Sequence, residues 1–214
     1  METLAGFRRA LDTQEDGDAI LSVYRQHRTR ESDSPYGDDF AVFFQIVTLQ
    51  NLARVGSLAQ ADGVIRDATD SLVSCVVPDL ALALGLLLYD LERVAEAELA
   101  FRRVTCIATP ADHVVLLTAL FSRARSLQKL GRLAEAEDVL LEVAGAPVSE
   151  DQDGARTAVK ALVALAASCT NDWEKGDFLR QAQRTGRMAG LKRSEQHDLS
   201  MLLRALDVHS GVRL

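Results

Sequence analysis

Three segments of this 214-residue chain align without a gap: Val55-Gly56-Ser57-Leu58-Ala59-Gln60-Ala61-Asp62, Leu91-Glu92-Arg93-Val94-Ala95-Glu96-Ala97-Glu98 and Leu130-Gly131-Arg132-Leu133-Ala134-Glu135-Ala136-Glu137. They start 36 and 39 residues apart, and a fourth segment, Asn171-Asp172-Trp173-Glu174-Lys175-Gly176-Asp177, follows 40 residues after Gly131. A period of that length is the mark of a repeat architecture, in which each unit buries its apolar face against its neighbours. Gly or Asn at the head of a copy can take the left-handed conformation that ends a helix. The apolar residue and the small residue that follow open the next helix and let two backbones approach. Each copy therefore predicts a helical hairpin.

Composition agrees with helices. The hydrophobic share is 48% but aromatics are only 5% and prolines number four, so the apolar content is mostly Leu, Ala and Val, side chains suited to close-packed helices.

From Leu84 to Pro110 the chain resembles a tetratricopeptide repeat (TPR): Leu84-Gly85 and Leu88 in a first helix, Ala97 and Phe101 in a second, Pro110 opening the next unit. The other copies match less well; Leu120, Ala124 and Leu127 suit a first helix, but Arg123 stands where the family prefers leucine. The resemblance covers about residues 40–190. It implies an all-α fold, a TPR-like α-solenoid: a right-handed superhelix of antiparallel helix pairs with about 10–11 helices. The period exceeds the family's roughly 34 residues. Thr109-Pro110 reads as cap and first residue of a long helix running through Val114, Leu117, Leu120, Ala124 and Leu127 to Leu130, and that length accounts for the excess.

The expected organisation is a divergent helical hairpin over 1–30, repeats over 40–190 and a capping helix over 191–214, as one continuous domain. The hairpin comprises Glu2 to Leu11 and Asp18 to Arg28, with a turn at Gln14-Gly17. Arg30 to Asp39 and Ala146 to Gly154 read as loops, and Gly186 to Gly190 as a loop between helices. Ser194 is expected to cap a last helix through Leu199, Leu202, Leu203 and Leu206.

A net charge of −7 and a pI near 5.1 oppose the attraction to phosphate that nucleic-acid binding needs, so no nucleic acid is expected. Met1 to Arg9 lacks a signal peptide's apolar run. The longest apolar stretch, Leu80 to Tyr89, is too short to span a bilayer, so membrane insertion is not expected and a cytoplasmic location is. Cys75, Cys106 and Cys169 are odd in number and far apart, which reads as reduced, mostly buried thiols.

No catalytic or metal constellation stands out. His27, His113, His197 and His209 are isolated, with no H-E-x-x-H or paired-cysteine spacing. Neither a G-x-S-x-G elbow nor a phosphate loop is present. Glu96/Glu98 and Glu135/Glu137 lie two apart, so each pair diverges on its helix and reads as helix-starting charge that stays in water. Catalysis, cofactors and metals are therefore not expected. Arg102-Arg103 and Arg180 to Arg193 are the basic concentrations, read chiefly as solvated helix faces, with an acidic partner as the sharper alternative.

The resemblance assigns first helices to a groove that holds a partner peptide or amphipathic helix. It points to Gln50 and Arg54, then Leu86, Tyr89 and Asp90, then Phe121, Arg125, Gln128 and Lys129, with Ile46, Ala53, Leu82, Ala161, Leu165 and Ser168 beside them. The carboxylate clamp that some TPR proteins use is not supported, because its places hold Ile46, Gln50, Ala83, Thr118 and Ser122. A protein-binding adaptor or scaffold is the first expectation. A ligand-responsive regulatory module of a bacterial signalling or transcription system is the second, and an enzyme on a helical scaffold the third. A homo-oligomer is compatible with a solenoid's open edges.

Overall fold

A computed structural model describes residues 2–31, 37–147 and 152–192, with 194, 196–197 and 200–201. Among them the protein is all-α: ten α-helices and no strand. These are α1 (Glu2–Asp12), α2 (Gly17–Glu31), α3 (Gly37–Arg54), α4 (Asp62–Ser71), α5 (Pro78–Asp90), α6 (Val94–Ile107), α7 (His113–Lys129), α8 (Leu133–Gly145), α9 (Gln152–Ser168) and α10 (Asp172–Met188). The chain divides into two compact units, Met1–Ala108 and Thr109–Leu214.

The aligned segments become turns with one hydrogen-bonding pattern. Gly56, Glu92 and Gly131 each have positive φ, at 73°, 59° and 75°. In each, the left-handed residue's N–H donates to a carbonyl three residues back at 3.1 Å, and the next N–H to one five back at 2.9 Å. This is the Schellman ending of a helix. It satisfies two orphan carbonyls of the first helix while the next helix begins within a few residues. The turns join α3 to α4, α5 to α6 and α7 to α8, and each pair packs together. The small residue that follows is buried every time: Ala61, Ala97 and Ala136.

The fourth segment behaves differently. Asn171 is extended (φ −96°, ψ 119°) and caps α10, its side chain accepting the Trp173 N–H at 2.9 Å. Asn171 is thus an N-cap, the role its short acceptor side chain favours, and not a left-handed helix end. The fourth Schellman turn falls at Gly190 (φ 65°), after α10.

In unit 1, α1, α2 and α3 pack on one another. Phe7, Leu11, Ile20 and Phe44 are buried, with the Phe7 ring edge-on to Phe44 and to His27. Helix α5 packs on both α3 and α6. Its buried stripe is Ala81, Leu84, Gly85 and Leu88, and Phe101 of α6 lies so close to Gly85 that an added Cβ would sit 2.6 Å from the ring. The residues that carry the TPR resemblance in this hairpin, Leu84, Gly85, Leu88, Ala97 and Phe101, are all buried.

In unit 2, α9 packs on α7, α8 and α10. That explains its composition: a helix covered on several sides needs small residues, and Gly154, Ala155, Ala158, Ala161 and Ala166 are buried beside Leu162 and Leu165. Thr109 and Asp112 start the unit, the Thr109 N–H and hydroxyl both donating to the Asp112 carboxylate at 2.8 and 2.7 Å. Those bonds, the backbone one first, hold the Asp112 carboxyl below its ordinary pKa. Pro110–Asp112 is a 3-10 turn leading into α7, so the long helix expected from the sequence is that turn plus a 17-residue α-helix.

Several boundaries move. Helix α2 runs on through Glu31 and α3 begins at Gly37, so Arg30, Glu31 and Gly37 to Asp39 of the expected loop are helical, and 32–36 lie outside the described residues. Gln152 to Gly154 belongs to α9, where Asp153 favours the helix N-terminus and pairs with Arg156 at 2.7 Å. Gly186 to Met188 is the last turn of α10, not loop. Ser194 is helical, and the Gln196 N–H donates to the Lys192 carbonyl, which places Ser194 inside the first turn of its helix and not at the cap. Leu199, Leu202, Leu203 and Leu206 lie outside the described residues.

Candidate functional site

The residues expected to face a partner divide between the two units. In unit 1, α3 carries Gln50 and Arg54, and α5, packed against it, carries Leu86, Tyr89 and Asp90. Gln50 and Asp90 are exposed, Leu86 is 41% exposed and Tyr89 is half-buried. Leu82, Leu86 and Tyr89 recur at i, i+4 and i+7, one line along the helix, with Asp79 and Asp90 at its ends. Arg54 serves the fold as well. Its guanidinium donates to the Gln14 carbonyl at 2.8 Å and to Asn51 Oδ1 at 3.0 and 3.2 Å, tying the α1–α2 turn to α3.

In unit 2, Phe121, Arg125, Gln128 and Lys129 lie on α7. Arg125 and Lys129 are exposed, Gln128 is half-buried, and Phe121 is half-buried against the core of α7, α8 and α9. Three of the neighbouring candidates face inward instead: Ile46, Ala161 and Leu165 are core residues, at 6%, 0% and 1% exposure. The resemblance assigns them to the groove face, but α3 and α9 are each packed against several other helices.

The acidic pairs also separate. Glu135 and Glu137 are exposed, and Arg132 holds the Glu135 carboxyl below its ordinary pKa through a bond of 2.6 Å. Glu98, expected in water, is 4% exposed because it lies on the buried stripe of α6 beside Ala97 and Phe101. Glu96 pairs with Arg93, which also reaches Asp62 of α4 at 2.5 Å; those bonds, Glu96 first, raise the Arg93 pKa.

The three cysteines are free, as expected, but only Cys75 is fully buried. Burial is the main cause that pushes its thiol up to about 11. Cys169 is half-exposed and its pKa is raised by burial, with Glu174 and Glu137 adding. Cys106 is exposed, contrary to the expectation that its apolar run is core. Among the described residues no group of three or more His, Cys, Asp or Glu could hold a metal ion. Nor is any helix there long and apolar enough to cross a membrane; His209 lies outside them.

Two features leave little mark in the sequence. Trp173, one residue into α10, is 72% exposed, and the aligned segment gives no sign of it because the other copies have no aromatic there. The second is an open cleft of about 310 Å³ between the end of α4 and α6, lined by Thr69, Leu72, Val73, Leu99, Arg102, Arg103 and Cys106. The Arg102-Arg103 doublet is its only trace in the sequence.

No family model, no curated protein and no solved structure matches this chain.

Proposed function

We propose that this chain is a protein-interaction adaptor: a TPR-like α-solenoid whose first helices hold an apolar segment of a partner protein. The observation that carries the reading is the outward line of α5. Leu82, exposed Leu86 and half-buried Tyr89 form an apolar strip closed by exposed Asp79 and Asp90. Leucine exposed beside an aromatic ring, with charge at both ends, is the pattern of an anchor site for an amphipathic helix or extended hydrophobic segment. The recurrent Schellman turns support it, since they repeat one hairpin and so present one first-helix face per repeat. On α7 the corresponding line, Phe121, Arg125 and Gln128 or Lys129, is cationic and supplies hydrogen-bond donors.

The test is affinity capture from native cells with the full chain, comparing wild type with the Tyr89→Ala, Arg125→Ala double variant. Both proteins should show the same helical circular dichroism, and the captured partner should be lost from the variant. Recovery of the same partner by both would rule out the first-helix faces.

A further inference from the structure

The α4–α6 cleft lies on second helices, apart from the outward line of α5, and is built from unit 1 alone. Leu99, Arg102, Arg103 and Cys106 recur at i, i+3, i+4 and i+7, so one face of α6 forms its floor and one wall. Thr69, Leu72 and Val73 form the other wall. The two arginines are adjacent and so leave the helix about 100° apart, and they do different things. Arg103 turns back to the chain, its Nε and Nη2 donating to the Cys75 carbonyl at 3.0 and 2.8 Å, which pins the segment after α4. Arg102 is exposed, and its guanidinium makes no ion pair or hydrogen bond among the described residues.

The walls are apolar and open to solvent: Val73 is 75% exposed and Leu99 38%. No carboxylate lines the cleft. That is notable in a unit with seventeen Asp and Glu against ten Arg and no Lys. A pocket built for a small molecule encloses most of its ligand, whereas this cleft, with Val73 standing at its rim, admits a side chain presented from outside.

We propose that the cleft docks an acidic amphipathic segment of a partner protein, an apolar side chain seated among Leu72, Val73 and Leu99 and a carboxylate bonded to Arg102. A guanidinium and a carboxylate form a charge-assisted, two-pronged hydrogen bond. The carboxylates elsewhere on the unit repel an acidic segment in other positions, which fixes its register here.

Cys106 makes the docking measurable. It lines the cleft and is exposed, while Cys75 is buried with its thiol pushed up to about 11, so at neutral pH a disulfide reagent reads Cys106 in a Cys169→Ser background. The probes are fluorescent peptides of about 14 residues with Leu, Phe or Met at helical spacing and Glu elsewhere, paired with versions carrying Lys for Glu.

At least one acidic peptide should bind the full-length protein and slow Cys106 labelling. Arg102→Glu should weaken that binding by about tenfold or more, and Arg102→Lys by much less. Arg102 is a surface residue, so neither change should unfold the protein. Tyr89→Ala should leave the protection of Cys106 unchanged, which separates this site from the first-helix faces. The proposal is overturned if no acidic peptide protects Cys106, if the Lys peptides protect it equally, if Arg102→Glu binds as wild type does, or if octanoate alone protects as well as the peptides.

Discussion

Hairpins α5–α6 and α9–α10 arise from aligned stretches of sequence, and their turns and contacts differ. Between α5 and α6 the chain reverses through a Schellman turn at Glu92, and Gly85 lies against the Phe101 ring with no room for a Cβ. Between α9 and α10 the turn is closed by the Asn171 cap, and the aligned small residue, Gly176, has ordinary space: an added Cβ would lie 3.4 Å from the tip of Arg180. A small residue at a repeat position is therefore no proof of a tight helix contact. What recurs from α3 to α8 is the turn's hydrogen bonding, and the small residue follows it.

Glycine-to-alanine substitutions break this comparison most sharply. Gly85→Ala should lower unfolding stability by about 1–3 kcal/mol in urea titration, because the Phe101 ring must move within a filled core. A neutral result would mean that the α5–α6 contact is looser than described.

The turns come next. Gly131→Ala places a side chain at φ 75° and should cost about 1 kcal/mol. At the equivalent Glu92, substitution by Gly should do the reverse and stabilise by up to about 1 kcal/mol, less what glycine's flexibility takes back in the unfolded chain. Equal signs at the two positions would contradict the shared turn.

Inside unit 1, Gln45 is 3% exposed and donates to Ser71 Oγ, but its Oε1 has no partner among the described residues. Ser71 still donates to the Asp67 carbonyl and is only half-buried, so water can replace the donor it loses; Gln45→Met therefore removes a buried unsatisfied acceptor and should raise stability by up to about 1 kcal/mol. The smallest effect belongs to Gly176→Ala, which gains helix propensity while the added Cβ meets only the flexible tip of Arg180 at ordinary contact distance, and it should stabilise by about 0.5–1 kcal/mol. A loss there would show that α10 is packed as tightly as α5.

The units also differ in charge. Unit 1 carries the whole net −7, whereas unit 2 balances fourteen Lys and Arg against fourteen Asp and Glu. Under the proposed adaptor reading, the cationic α7 residues of unit 2 would meet a hydrogen-bonding part of a partner and the acid-tipped strip of α5 an apolar part.

Much of the fold is legible in the sequence because turn chemistry is local. Gly56, Gly131, Thr109 and Pro110 announce their conformations through backbone preference alone. The Glu92 turn is legible only through its alignment with glycine. Asn171 misleads because asparagine serves both a left-handed helix end and an N-cap, and only the neighbouring helix decides between them. The surfaces are less legible, since exposure depends on how many helices cover a face. The resemblance assigns Leu86, Tyr89, Ile46, Ala161 and Leu165 alike to a groove face, yet Leu86 is exposed and Tyr89 half-buried while Ile46, Ala161 and Leu165 are core, and Cys106, whose apolar run reads as core, is exposed.

The most direct measurement is hydrogen exchange of the full chain with and without its captured partner. The account predicts added protection in the peptides of α5 (residues 78–90) and α7 (residues 113–129) when the partner is bound. Unchanged exchange in both helices, with protection elsewhere, would contradict binding through the first-helix faces.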